Sequence, residues 1–252
     1  MLIFRIYHYL LLFLALILSP DAISKESVEV YIYFDKPPFV VDQEKRVGLS
    51  YDLIDCLNDF SNLYSYSLVY LPKKRALNQV VNKGVLLWIN PLWLGYAEKK
   101  NYDWIEDLIF DKELYVSNDP SLHYNGPTSF FEKIFVGVRG YTYLNLEEHF
   151  NQNEIIRVDV NKEVLIPTML LKNRADVGVI GYQTYSYLQR ETPEISTKLS
   201  ILDEYSYDFA RSILFSKYQP NIKKDFKNWF DSTEGSIKWS LLKDKWLVNN
   251  EK

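Results

Sequence analysis

The sequence predicts an α/β fold of two lobes, each a mostly parallel sheet flanked by helices. Three observations predict it. Apolar strand patterns alternate with helical ones over residues 28–89, a similar succession recurs over residues 134–180, and stretches rich in turn residues separate the two runs. Strand and helix in alternation imply parallel pairing through right-handed crossovers. Two connections between the runs imply lobes that hinge.

The elements follow in order. Residues 1–24 read as a secretory leader, with Arg5, an apolar run over 10–18, and small residues Ala22 and Ser24 before the cut. The run suits a signal-peptide core and is short for a bilayer span, so cleavage after Ser24 and a periplasmic mature chain are expected, with an uncleaved anchor as the alternative. Val28, Val30, Ile32 and Phe34 alternate with Glu29, Tyr31 and Tyr33 as in a strand, and Pro37-Pro38 stops it. Ser50 is the expected N-cap of a helix with Asp52 in its first turn and Leu53, Ile54, Leu57 and Phe60 on its apolar face. A strand over 67–71 leads to Pro72 at a helix start, then to Ala76, Leu77, Val80 and Val81 at helical spacing, with Gly84 past the end. Residues 85–89 form a buried strand.

The second run has strands over 134–138, 155–160 and 176–180, a helix over 144–150, and another over 163–172 that starts either there or at Pro167. Residues 115–128 hold the crossing between lobes and 199–215 the return. The tail is helical, with Ile222, Phe226, Trp229 and Phe230 on one face and Ile237, Leu241, Leu242 and Trp246 on another. The expected division is a leader over 1–24, the first part of lobe 1 over 25–117, lobe 2 over 118–208, and the return crossing with helices packed on lobe 1 over 209–252.

Composition narrows the function. A net charge of −4 argues against nucleic-acid binding. The single cysteine, Cys56, permits no internal disulfide and sits among Leu53 and Leu57, as a core residue would. With 20 Tyr, 14 Phe and 6 Trp, rings exceed what a core needs, so some are expected to line a cleft. The histidines His8, His123 and His149 lack metal spacing, and no Gly-x-Ser-x-Gly elbow is present, so the chain reads as a non-enzyme without metal or cofactor.

The Pro37-Pro38-Phe39 turn, Gly48 with Asp52, the Arg75-Ala76-Leu77 to Gly84 helix, and Asn173-Arg174-Ala175-Asp176 before a strand carry a resemblance. In that order and spacing the chain resembles the extracellular solute-binding proteins of the polar amino-acid uptake type, with the type II periplasmic binding fold. The resemblance covers nearly all of the chain after the leader. It implies a ligand held between the lobes by loops at the carboxyl ends of the strands, as in open α/β sheets generally. It also implies hydroxyls and a carboxylate-gripping Arg after the strand at 85–89, and an acidic residue after the strand at 176–180. Here Asn90-Pro91-Leu92-Trp93 and Gly181-Tyr182-Gln183 stand instead.

The expected ligand contacts are therefore Tyr33, Arg75, Asn90, Trp93, Arg139, Tyr141, Thr142 and Tyr182. Asn90 offers an amide, and Trp93 and Tyr33 offer rings. Arg139 precedes a helix start and could grip an anion, with Tyr141 and Thr142 adding hydroxyls. Each has a plainer reading: Asn90-Pro91 as a turn, Arg75 as one of the Lys73-Lys74-Arg75 run, Arg139 as a surface loop residue. The expected function is a monomeric periplasmic binder of a small polar solute, amino-acid-like or another organic anion or aromatic, handed to a membrane transporter or a sensor ectodomain. The alternatives are a degenerate module contacting a receptor protein, and a small enzyme on the same fold.

Overall fold

The computed structural model describes residues 24–202 and 207–248. The expected leader lies outside them, except for Ser24. The described chain is α/β, and it has two lobes built on one continuous sheet. The strands are β1 (Glu26–Ile32), β2 (Tyr64–Tyr70), β3 (Val85–Ile89), β4 (Tyr102–Ser117), β5 (Ile134–Val138), β6 (Ile156–Val160), β7 (Val177–Gly181), β8 (Ser200–Ile201) and β9 (Tyr207–Ser216). Their order is β2-β1-β3-β9-β4-β7-β5-β6, with β8 paired to β4. β1 runs parallel to β2 and β3, and β5 runs parallel to β6 and β7. These are the two parallel sets expected from the alternation of elements.

The long strand β4 joins the sets. Its residues Tyr102 to Glu113 pair with β9, and Glu113 to Ser117 pair with β7, all antiparallel. This crossing begins well before residue 115, where the turn-rich stretch suggested it. The reason is a bulge: the register slips between Ile105 and Ile109, and Asp107 adopts φ 59. The bulge breaks the period-two pattern, and charged Glu106 and Asp107 mask the strand.

Helices α1 (Leu49–Phe60), α2 (Lys73–Asn82), α3 (Gly95–Lys99), α4 (Glu147–Asn151), α5 (Ile166–Leu171), α6 (Tyr182–Glu191), α7 (Pro193–Lys198), α8 (Pro220–Asp231) and α9 (Thr233–Trp246) cover the sheet. The N-cap of α1 is Gly48 rather than Ser50. Gly48 has φ 140, and a Cβ there would lie 2.7 Å from the Phe39 carbonyl oxygen. Ser50 is instead buried, and its hydroxyl accepts from Trp88 Nε1 at 2.8 Å. Gly48→Ala should cost about 1–3 kcal/mol through backbone strain and the clash, read as a lower denaturant midpoint. Asp52, in the first turn of α1, accepts from Trp246 Nε1 and Lys245 Nζ, each at 2.7 Å, and so ties the tail to lobe 1.

One core gathers β1, β3, α1, α8 and α9 around Phe39, Trp88, Phe226 and Trp229. A second lies around Val136, Ile166 and Tyr185, and a third around Phe130, Phe135 and Tyr143. The tail helix departs from its expected face. Ile237 and Leu241 are exposed, whereas Trp239 and Trp246 are buried and Leu242 packs beside them. The larger rings claim the contact, because they bury more apolar area. Cys56 is half-buried on α1, and burial pushes its thiol pKa up, which disfavours the reactive thiolate.

Candidate ligand site between the lobes

The loops after β1, β2, β3, β5, β6 and β7 all leave the carboxyl ends of parallel strands, where ligands of open α/β sheets sit. From lobe 1 they bring Tyr33, Phe34, Lys36, Lys73, Asn90 and Trp93. From lobe 2 they bring Tyr141, Glu163 and Gly181. The strands β4 and β9, which join the two parallel sets, add Asp111, Glu113, Phe209 and Arg211.

Arg211 is the centre of the cluster. It is fully buried, and its Nε and Nη2 donate to Asp111 Oδ2 at 2.8 and 2.6 Å. Its Nη1 donates to the Trp88 carbonyl at 3.2 Å. That carbonyl is turned toward it by a bulge in β3, where Trp88 has φ 61. Phe34, Phe39, Trp93 and Phe209 surround the guanidinium, with ring centroids 4.8–5.9 Å away. Such a cage favours the cation while excluding water.

A second buried pair crosses between the lobes. Lys36 Nζ donates to Glu163 Oε2 at 2.6 Å, and both side chains are 7% exposed. Glu163 Oε1 accepts from the Gly181 backbone N–H at 2.9 Å. Thr184 Oγ1 donates to the Pro37 carbonyl at 2.8 Å, and Lys162 meets Asp35 at 2.6 Å on the outer side. The lobes are thus held together by the chain's own polar groups.

Several polar groups of the cleft are left over. The Tyr33 hydroxyl and Asn90 Nδ2 are buried without a hydrogen-bond partner. Arg211 lies near the Tyr33 hydroxyl without hydrogen-bond geometry. Burial raises the Tyr33 pKa, and Arg211 pulls against it, so the phenol stays protonated at neutral pH. Asn90 Oδ1 accepts from the Leu92 N–H at 3.0 Å and caps the 3-10 turn Pro91–Leu94, which leaves its amide donors free. The Lys73 ammonium stands 5.8 Å from the Tyr33 ring centroid and 5.6 Å from that of Trp93. Lys73 is exposed like its neighbours Lys74 and Arg75, and desolvation by the rings beside it holds its pKa below the ordinary lysine value. The Glu113 carboxyl is raised by burial first and then by the neighbouring Glu163 carboxylate, against the pull of Lys36 and Arg211.

An unpaired buried hydroxyl is costly. Tyr33→Phe should therefore hold or raise stability by up to about 1 kcal/mol. A loss of more than that in denaturant unfolding would show that the hydroxyl is structural.

The expected contacts are placed as follows. Tyr33 and Trp93 come together beside Lys73 and Arg211, and Asn90 follows β3 three residues before Trp93. Tyr141 is 37% exposed overall, yet the protein packed around its hydroxyl raises that group's pKa by desolvation, with Glu163 and Tyr33 adding to the rise and Arg211 opposing it. Tyr182 is half-buried under Lys112 Nζ at 4.9 Å from its ring centroid. Arg75, Arg139 and Thr142 are exposed. Lys73, rather than Arg75, reaches the rings. The residues missed in sequence were Lys36, Lys73, Asp111, Glu113, Glu163 and Arg211, because each pairs or clusters across long chain separations. The plain signal in sequence was a charge inside an apolar strand: Arg211 in 207–216, which carries Phe209, Ile213, Leu214 and Phe215.

This fold is that of the periplasmic binding proteins for polar amino acids. A Salmonella typhimurium periplasmic binding protein with high arginine specificity is similar over 88% of this chain and 100% of its own, at 12% identity and TM-score 0.66. The arginine-, lysine-, histidine-binding protein of the thermophile Geobacillus stearothermophilus is similar over 90% and 97%, at 17% identity and TM-score 0.63. A histidine kinase sensor domain described as similar to periplasmic binding proteins matches over 88% and 96%, at 12% identity and TM-score 0.67. No family model matches the sequence, and no curated protein does.

Proposed function

We propose that the chain is a solute-binding protein that closes its two lobes over a small polar solute. The observation that carries this reading is the set of unpartnered polar groups, Tyr33 Oη and Asn90 Nδ2, buried where the strand ends of both lobes converge. The Tyr185 hydroxyl is also buried without a partner, inside the lobe 2 core, so it is the convergence of two orphans at the strand ends, and not an orphan alone, that points to a ligand. The binding proteins similar to it in fold support the same reading. In this account lobe 1 comprises residues 25–117 and 209–252, and lobe 2 comprises 118–208. Tyr33, Asn90, Trp93 and Tyr141 contact the solute. Tyr182, Arg75, Arg139 and Thr142 form the outer rim.

The expected leader over 1–24 would export the chain to the periplasm, where as a monomer it would deliver the solute to a membrane transporter or present it to a sensor. The solved structures similar to it in fold are described as binding proteins, which favours binding over turnover. A second reading, a module whose partner is a receptor protein, draws support from the Lys36–Glu163 pair, which shuts the cleft with the chain's own charges. A thermal-shift screen of polar metabolites, followed by calorimetric titration, separates the two. Saturable binding of a small molecule supports the first, and no binding across the screen retires it in favour of the second.

A further inference from the structure

The strands β4 and β9 carry the chain between the two parallel sets. A further stretch of main chain also reaches across. Helix α9 of lobe 1 ends at Trp246, and Leu247 leaves it extended, with φ −102 and ψ 161. Leu247 is buried, so the chain stays on the protein there. It then meets α6 of lobe 2. Gln183 Nε2 donates to the Val248 carbonyl at 3.0 Å, and the Val248 N–H donates to Gln183 Oε1 at 2.9 Å. Arg190 Nη2, further along α6, donates to the Trp246 carbonyl at 3.3 Å. We propose that residues 246–248 are a strap between the lobes, clasped by Gln183, that favours the arrangement in which Lys36 meets Glu163. The strap goes beyond the solute reading and acts whether or not the cleft takes a solute.

The clasp has the form of a strand pairing. A side-chain amide carries one acceptor and two donor hydrogens. With the acceptor and one donor it satisfies both main-chain groups of one residue, as an antiparallel neighbour does. Gln183 is 2% exposed, and its remaining donors are committed as well. Nε2 also donates to the Phe110 carbonyl of β4 at 3.3 Å, and the Gln183 backbone N–H donates to Asp111 Oδ1 at 3.1 Å. That carboxylate stands at the positive end of α6, where the helix dipole favours it. One buried side chain therefore ties the strap, strand β4 and the start of α6 together.

The two ends of the strap belong to different lobes. Asp52 accepts from Trp246 Nε1 and Lys245 Nζ, each at 2.7 Å, so the strap is fixed to lobe 1 before it reaches lobe 2. Helix α6 itself faces both: Tyr185 lies in the lobe 2 core, and Tyr187 packs on the lobe 1 core. A contact made in one arrangement and broken in another favours the first by its own free energy. The clasp is also neutral, unlike Lys36–Glu163 and Arg211–Asp111. Parting it strands no charge, and water can take over both amides. Such a tie can be made and released as the lobes move, whereas a stranded buried charge would oppose release.

Native hydrogen exchange and an interlobe distance, both on the full chain, test the strap. In the wild type the Val248 amide should exchange roughly fivefold or more slowly than in an unstructured peptide. An unprotected Val248 amide overturns the strap. The distance is read between spin labels at Lys74 and Arg139, exposed residues of the two lobes, with Cys56 replaced by Ala. In a Glu163→Gln background, where Lys36 has lost its counter-charge, adding Gln183→Met should lengthen that distance. Val248→Pro in the same background should lengthen it too. Proline removes the N–H of the clasp, and Leu247 already has the extended conformation that a following proline requires. Val248→Pro also decides the matter where Gln183→Met fails to fold. Distances equal to that of Glu163→Gln alone overturn the strap, and a lower melting temperature beside equal distances assigns Gln183 to packing. A longer distance with Gln183→Met but not with Val248→Pro assigns the tie to the Phe110 carbonyl and overturns the part of the tail.

Discussion

Asp111→Asn should destabilise the chain by about 3–5 kcal/mol, the usual cost of leaving one member of a buried ion pair uncompensated. The side chains of Arg211 and Asp111 are 2% and 1% exposed, and Arg211 spends two donors on Asp111. Asn keeps the shape and an acceptor but removes the charge. Arg211 cannot shed its proton, and four rings keep water from it. Nor can it swing free. Arg211 and Asp111 sit on adjacent strands of one ladder, with Ile109 opposite Arg211 and Asp111 opposite Phe209. The cost must therefore appear in global unfolding. Replacing both, as Asp111→Leu with Arg211→Met, should recover most of it, because an apolar pair of similar volume leaves no charge stranded. Denaturant unfolding followed by circular dichroism reads both. A loss under about 1 kcal/mol for Asp111→Asn would mean that the pair is hydrated in solution.

Glu163→Gln should behave differently, although its pair with Lys36 is as short and nearly as buried. The two residues belong to different lobes. The Gln carbonyl can still accept from Gly181, but Lys36 loses its counter-charge. Parting the lobes hydrates the ammonium, so the chain escapes most of the several kcal/mol that a stranded charge would cost. The change should appear as a larger radius of gyration in solution scattering, with the unfolding free energy lowered by only about 1 kcal/mol. The other ties between the lobes, Thr184 to Pro37, Gln183 to Val248, Arg190 to the Trp246 carbonyl and the partly exposed Lys162–Asp35 pair, are hydrogen bonds or exposed pairs, each weaker than a buried charge pair. An unchanged radius with a large loss of stability would show that Lys36 and Glu163 belong to a rigid core rather than to a latch.

The contrast between these pairs shows what the sequence could and could not reveal. The parallel strands and their helices were legible because their patterns are local: β3 and β5 have the expected bounds, and Gly84 ends α2 as expected, with φ 93. Strand β4 was not, because a bulge at Asp107 interrupts its alternation. Ser50 looked like a cap, yet a helix start packed against the Phe39 carbonyl admits only glycine at that place. Tail residues Ile237 and Leu241 have helical spacing on an apolar face, but Trp239 and Trp246 outcompete them for the contact.

The site divides in the same way. Tyr33, Asn90 and Trp93 follow strands whose ends could be located, so their neighbourhood was readable. Lys36–Glu163 and Arg211–Asp111 span 127 and 100 residues of chain, and no local pattern announces either. Lys73 was hidden in a basic run whose three members look alike in sequence and differ only in which one reaches the rings. The hydroxyls, arginine and acidic residue implied by the resemblance do not stand after β3 and β7, where Asn90-Pro91-Leu92-Trp93 and Gly181-Tyr182-Gln183 are found.

The central claim is that the cleft holds a small solute. Native mass spectrometry of the chain purified without unfolding tests it most directly. A solute-filled cleft gives a mass above that of the polypeptide, by one small molecule released on denaturation, and a lower occupancy for Tyr33→Phe. A bare polypeptide mass that stays bare after incubation with a concentrated small-molecule extract would contradict it.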